Sequence, residues 1–464
     1  MNGFIGRKEE LKILNRALRE KKSAFIPIYG RRRVGKTELI FHFIKGKKAL
    51  YYCGKKARAQ MQIKEFLRGA ATALKEPLLA EIAPENWKHA LSLVTEKCSS
   101  SRKCILALDE FQWIADASPD LPSTLQELWD RSWKKRGNIM IILCGSYMGF
   151  MEREVLGKNS PLFGRRTSRI HLKPFGYLEA TRFHPSYSLE DRVKTYFICG
   201  GIPLYLEYFS PEKSVEMNII DNLLSQYAPL FQEPDFLLRE ELRELENYYA
   251  ILLAIAQGTT AHTDISQKTT IDNRALHYYL KQLIDLGYLS RRYPLFRKKS
   301  SPRDVRYILD DPLLRFWFRF IYPNTSYIIQ FGGEKALAKR IALELDSYFG
   351  YCFERLCREA LGFLYHKEGV KAGFEIGEYW DKNTQIDVVG FREDNWTDLG
   401  ECKWGGVRSP KKLEKELQHK IGFYPNLRNA TISRRIFTKK PFPKRIKGGR
   451  DIRRHCLRDL FPIK

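Results

Sequence analysis

Two groups of residues in this 464-residue chain have the types and spacing to do chemistry on phosphates. In the first, Gly30, Gly35, Lys36 and Thr37 fill G-x-x-x-x-G-K-[ST], with Arg31, Arg32, Arg33 and Val34 between the glycines and Glu38 directly after. Glycines at those places let backbone N–H groups turn inward around phosphate oxygens. The lysine reaches the β- and γ-phosphates, and the hydroxyl that follows it offers an oxygen to Mg²⁺. ATP and Mg²⁺ are therefore the expected cofactors. Residues 104–110, CILALDE, add an apolar run that ends abruptly in two carboxylates. Asp109 is placed to hold Mg²⁺ through its water shell, and Glu110 to polarise the attacking water as general base.

The second group lies near the C-terminus. Asp387 sits inside QIDVVG, and Glu401 and Lys403 sit inside DLGECKW, all three being charged residues in otherwise apolar, strand-like segments. Burying such charges costs several kcal/mol each unless they share a cation or a partner. Side chains alternate along a strand, so residues 401 and 403 point the same way.

The elements that must position these groups follow from periodicity. Residues 24–29 read as a short buried strand, and Leu39, Ile40, Phe43 and Ile44 follow at helical spacing, which puts the glycine-rich loop between a strand and a helix. Further strands are expected at 49–53, 104–110, 139–146 and 170–172, with an amphipathic helix carrying Leu11, Leu14, Ala17 and Leu18 and further helices at 59–79, 87–94 and 178–205. Helices at 248–256, 263–268 and 276–286, followed by a strand–loop–strand over 288–309, give the element order of a winged helix. Arg274, His277, Tyr278 and Lys281 would then face outward, and Arg291, Arg292, Arg297, Lys298, Lys299 and Arg303 would fall on or near the wing. In the last region a helix at 348–361 carries Glu354 and precedes strands at 374–379, 385–389 and 398–403, then a helix with Lys411, Lys412 and Gln418.

A net charge of +26 exceeds what solubility requires and points to a polyanionic partner, with nucleic acid, DNA above all, the first candidate and an anionic membrane surface the second. Residues 431–464 concentrate the excess, with twelve Lys and Arg against two Asp. The nine cysteines show no metal-site pairing and read as reduced core thiols. Nothing resembles a signal peptide or a membrane span, so a cytoplasmic protein with no membrane partner is expected.

Several of these segments resemble known families. Phe4-Ile5-Gly6-Arg7 is similar to the F-x-G-R segment that lies against adenine in P-loop ATPases of the AAA+ and STAND groups, which implies that role for Ile5, Gly6 and Arg7. Ser146 stands where AAA+ proteins place the polar residue that aligns water against the γ-phosphate. Arg165 and Arg166 resemble an arginine finger in position; ordinary surface charge is the equal alternative, and a finger working in trans would require a homo-oligomer. Gly201-Ile202-Pro203 resembles the G-x-P element of the STAND lid, which puts Pro203 near the base. Asp387, Glu401 and Lys403 resemble the constellation of PD-(D/E)xK nucleases. That resemblance implies Mg²⁺ on Asp387 and Glu401, water activation by Lys403 and an extra helix carboxylate at Glu354.

As a whole the chain resembles the archaeal-type ATPase family. The implied fold class is α/β: a P-loop NTPase core of the AAA+/STAND type over 1–172, a helical lid over 173–237, a winged helix over 238–322 and a restriction-endonuclease-like domain over 336–464. The expected function is an ATP-hydrolysing, DNA-acting protein with a Mg²⁺-dependent nuclease-like domain. The competing reading is a STAND-type switch whose C-terminal domain binds DNA or a partner and cuts nothing.

Overall fold

The computed structural model describes all residues except 1–2, 99–102, 297–303, 408, 443–451 and 463–464. Two compact units emerge, one of residues 1–175 with 202–204 and the other of 176–201 with 205–464.

The first unit is built on a five-stranded, all-parallel sheet in the order β2-β3-β4-β1-β5, with β1 Ala24–Tyr29, β2 Ala49–Cys53, β3 Cys104–Asp109, β4 Ile139–Gly145 and β5 Ile170–His171. The three inner strands are buried at every position, whereas β2 alternates buried and half-buried residues. A parallel sheet covered on both faces tolerates no charge along its strands, which is why 104–109 stays apolar until Asp109. Phe25, Leu106 and Ile141 of the sheet join one core with Phe66, Trp87 and Trp133. The carboxyl ends of β1, β3 and β4 thus emerge together, where open α/β sheets bind ligands.

The second unit begins with helices. Residues 178–205, read from sequence as one helix, form three: Tyr177–Ala180, Leu189–Cys199 and Pro203–Tyr208. Pro185 follows His184, whose Nε2 binds the Leu206 and Phe209 carbonyls, and Ser188 caps the next helix by accepting from the Asp191 N–H. Helices Leu245–Ala256, His262–Thr269 and Asn273–Asp285 then precede an antiparallel pair, β6 Leu289–Arg292 and β7 Arg306–Leu309. Leu276, Leu280 and Leu283 are buried on the third helix, leaving Arg274, His277, Tyr278 and Lys281 exposed. Arg297, Lys298, Lys299 and Arg303 lie outside the described residues.

The C-terminal part holds a mixed sheet in the order β12-β11-β10-β9-β8: β8 Phe374–Trp380, β9 Gln385–Arg392, β10 Trp396–Lys403, β11 Thr431–Thr438 and β12 Ile452–Cys456. β8, β9 and β10 are antiparallel neighbours. The Pro410–Ile421 helix carries the chain from β10 to β11, which runs parallel to it. The helix expected at 348–361 is longer, Ala342–Lys367, and buries Phe349, Phe353, Leu356 and Leu361. A fully buried Arg435 on β11 bridges Asp398 at 2.6 Å and Glu368 at 2.7 Å, and Tyr365 donates to Asp398 at 2.6 Å. Paired guanidinium and carboxylates of this kind are the form in which charge survives inside a core.

Candidate nucleotide and carboxylate sites

The loop after β1 is shaped by backbone constraints that explain its sequence. Gly30 has φ +154°, and a Cβ there would lie 2.2 Å from the Leu172 carbonyl oxygen, so no other residue fits. Arg33 and Gly35, at φ 66° and 87°, turn the loop into the Lys36–Ile44 helix. Lys36 is 6% exposed, and its ammonium donates to the Gly30 and Arg31 carbonyls at 3.0 and 2.9 Å. Burial lowers its pKa, which raises the value of any anion that reaches it.

Thr37 Oγ1 donates to Asp109 Oδ2 at 2.7 Å, joining the loop to the end of β3. Tyr51 on β2 donates to the same oxygen at 2.9 Å. Glu110, in a left-handed conformation at φ 46°, accepts from Ser146 Oγ at 2.8 Å and from Gln112 Nε2. Lys36, Thr37, Asp109, Glu110 and Ser146 therefore belong to one site at the carboxyl edge of the sheet. Glu38 is exposed on the first helical turn, and Arg31, Arg32 and Arg33 are half-buried in the loop.

Ile5 and Gly6 lead into Arg7, which is 6% exposed and donates to the Val34 and Lys173 carbonyls, each at 2.8 Å, with its guanidinium over the Phe175 ring at 4.0 Å. Arg7 thus braces the phosphate loop from behind. Pro203 lies 3.7 Å from where a Cβ on Gly35 would stand. Arg165 is held in a fork by Asp130, at 2.7 Å from Nη2, and by the Pro161 carbonyl at 2.8 Å, while Arg166 lies over Phe163.

In the C-terminal sheet, Asp387 and Glu401 are 6% and 3% exposed on the adjacent strands β9 and β10. Asp387 Oδ2 accepts from the Cys402 N–H at 2.9 Å. Lys403 meets one Glu401 oxygen at 3.1 Å, and Lys420, reaching from the Pro410–Ile421 helix, meets the other at 2.6 Å. Burial and the neighbouring charge of Glu401 push the Asp387 carboxyl up to about 6. Burial and Asp387 push Glu354 up to about 8. Burial opposes the charge on Lys403, but Glu401 beside it holds its pKa above the ordinary lysine value. Within this cluster the two lysines supply positive charge beside Glu401, while Asp387 and Glu354 feel the neighbouring carboxylates. Among the described residues no group of three or more His, Cys, Asp or Glu is arranged to hold a metal ion, so Asp387 and Glu401 stand as a pair.

Several members of these sites carry weaker sequence signals. Arg358, which donates to the Asp387 carbonyl at 2.6 Å, lies four residues after Glu354 on one helix face. Lys420 is three residues beyond the buried Leu417, on the inward stripe, whereas Lys411 and Lys412 are exposed and Gln418 accepts from Arg434. Tyr51 and Gln112 have no motif of their own.

Known proteins place the chain. Residues 4–209 match an ATPase domain described as predominantly from Archaea, and residues 317–417 match archaeal and bacterial proteins of unknown function. A protein of Methanocaldococcus jannaschii is 31% identical over 427 residues, which cover 90% of this chain and 91% of that protein. An ATP-binding protein of the same organism is 56% identical over 45 residues, 10% of this chain and 76% of its own. Among solved structures, a Walker-type ATPase of Pyrococcus abyssi superposes with a TM-score of 0.53 at 18% identity, covering 68% of this chain and 96% of that one. That likeness speaks for the P-loop fold alone. No helix among the described residues is long and apolar enough to cross a membrane. With a 31% identical relative matched over nine-tenths of both chains, this chain belongs to the family of that M. jannaschii protein, and its residues 4–209 match an ATPase domain found predominantly in Archaea.

Proposed function

We propose that the protein hydrolyses ATP with Mg²⁺ and acts on DNA through a nuclease-like C-terminal domain. For the first half, the supporting geometry is the Thr37–Asp109 pair beside a buried lysine. A hydroxyl and a carboxylate oxygen are the donor set that Mg²⁺ prefers, and when bound the ion neutralises charge on the phosphates. Lys36 would exchange its loop carbonyls for phosphate oxygens, while Ser146 and Gln112 hold Glu110 in position to take a proton from water.

The observation that carries the second half is the Asp387–Glu401 pair on adjacent strands with Lys403 on Glu401. The element order supports it: a long helix, three antiparallel strands and a crossover helix to a parallel fourth, as in restriction-endonuclease-like folds. Asp387 and Glu401 fit a divalent cation, which would polarise the scissile phosphate, and Lys403 would orient the attacking water. The helix pattern at 245–285 followed by β6 and β7 fits a winged helix, and the exposed Arg274, His277 and Lys281 with the +26 net charge support DNA as the partner.

One observation favours a second reading, a nucleotide-driven switch that holds DNA without cutting. Both Glu401 oxygens are already occupied by lysines. Incubation of plasmid with Mg²⁺, with and without ATP, separates the two. Mg²⁺-dependent nicking by the wild type, lost in Lys403→Ala, is expected for the nuclease. ATP turnover that is lost in Lys36→Ala, with intact plasmid throughout, would leave the switch.

A further inference from the structure

Within the second unit, a cavity of about 470 Å³ is walled by the Leu245–Ala256 helix, β7 and the Ala342–Lys367 helix. Its size is within the roughly 300–1,000 Å³ of small-molecule sites. Arg292, Arg306, Arg315, Arg319, Arg355 and Arg358 all reach it, against only two lining carboxylates, Glu354 and Glu378.

Most of these arginines have carboxylate partners. Arg355 and Arg292 share Asp310 at 2.7 and 3.4 Å, Arg358 faces Glu378 at 3.6 Å, and Arg319 binds Glu344 at 2.6 Å. Two differ. Arg306 and Arg315 make no ion pair within 4 Å among the described residues, although Glu378 in the same wall attracts the charge of Arg306. Arg306 donates to the Gln385 side chain at 3.2 Å and lies over Trp380 at 4.3 Å. Arg315, 6% exposed, donates to the Leu309 carbonyl at 3.0 Å and to Cys352 Sγ at 3.7 Å, and its Nε has no hydrogen-bond partner.

Burying the Arg315 guanidinium without a counter-charge costs several kcal/mol, a cost that an anion entering the cavity would offset. Among anions, phosphate matches the planar fork with two parallel hydrogen bonds. Ile255, Ile308, Leu309, Tyr348 and Tyr351 add an apolar and aromatic stretch to a wall that also holds Thr260, Ser347 and Gln385. Such a surface suits a flat heterocycle.

We propose that this cavity binds a phosphate monoester carried on a nucleoside, with Arg306 and Arg315 on the phosphate and the aromatic wall on the base. Two sources present that chemistry, a free mononucleotide and the 5′-phosphorylated end of a DNA strand. The proposal requires neither a metal nor strand cleavage, so it stands apart from the nuclease reading.

The test uses the full chain carrying Lys36→Ala, which silences the phosphate loop, and is run in EDTA so that a protein that cuts nothing still reports on the cavity. AMP is titrated by calorimetry, and short single strands with a 5′-phosphate or a 5′-hydroxyl by fluorescence anisotropy. Saturable AMP binding identifies the free nucleotide, and a preference for the phosphorylated strand identifies the strand end. In either case Arg306→Gln is expected to weaken binding roughly tenfold or more, since hydrogen bonds to charged groups are worth about 1.5–3 kcal/mol. Arg315→Gln should do the same and Arg315→Lys should recover part of it. If Arg315→Gln does not fold, Arg306→Gln, at a half-buried position, carries the comparison. Absence of both AMP binding and any 5′-phosphate preference overturns the proposal. So does binding unchanged in Arg306→Gln with a wild-type melting temperature.

Discussion

Asp109 and Asp387 are both buried carboxylates at the heart of a candidate cation site, yet the two sheets treat them differently. Asp109 ends a parallel strand, where the chain emerges from the core, and its Oδ2 already accepts from Thr37 and Tyr51. Asp387 lies three positions into β9, among other carboxylates, with burial and Glu401 raising its pKa to about 6. The first site is satisfied by neutral donors, the Thr37 and Tyr51 hydroxyls. In the second, two lysines balance Glu401 while burial and the Glu401 charge hold Asp387 above its ordinary pKa. A carboxylate at a strand end can be satisfied by neighbouring hydroxyls, whereas one set inside a strand beside a second carboxylate is held at an electrostatic cost.

The largest expected effect tests the first half of that contrast. Lys36→Ala should lower ATP hydrolysis by roughly 100-fold or more, because the ammonium is the chief positive charge buried in the loop; undiminished phosphate release would break the comparison at once. A second measurement asks whether the C-terminal sheet carries other buried titratable strain. Burial, with Arg435 beside it, pushes His455 down to about 4, while the unfolded imidazole titrates near 6.5. Stability from this group is full above pH 6.5 and falls as the pH drops to 4, by up to about 3 kcal/mol. Urea melts across that range should flatten in His455→Gln; equal slopes in both proteins would remove the claim.

Asp387→Asn sharpens the contrast further. The native carboxyl titrates near 6 in place of 3.8, so its ionisation disfavours the folded state as pH rises through that window. At pH 8 without divalent cation the variant should be more stable than wild type by about 1 to 2 kcal/mol, and it should lose the rise in Tm on adding Mg²⁺. A loss of stability in the variant would mean that the cluster is already balanced. The smallest effect is expected from Tyr51→Phe, which removes one of two hydroxyls on Asp109 at about 1 kcal/mol. A few-fold rise in the Mg²⁺ needed for half-maximal ATP turnover would register it.

The same contrast governs how much of each site is legible in the order of the residues. The phosphate loop is local: Gly30 to Thr37 must be read together, because one backbone turn dictates all of them. The strand of Asp109 is equally plain, an uncharged run followed by acid. The carboxylate pair shows only as charge inside apolar strands, and Lys420, which closes it, arrives from a helix nineteen residues beyond Glu401. The Arg435–Asp398–Glu368 bridge joins three elements and leaves no pattern in any of them. The single helix expected over 178–205 fails for a related reason. Apolar spacing persists across His184 and Pro185, where side-chain bonds to distant carbonyls interrupt the helix.

Arg7 and Pro203 have a mechanical consequence. Arg7 ties Val34 in the loop to Lys173, only three residues before the backbone passes into the second unit at Gly176. Pro203, packed near Gly35, sits in the three-residue excursion 202–204 by which the backbone returns and leaves again. Every crossing of the polypeptide from one unit to the other is thus anchored within a few residues of the nucleotide's expected seat.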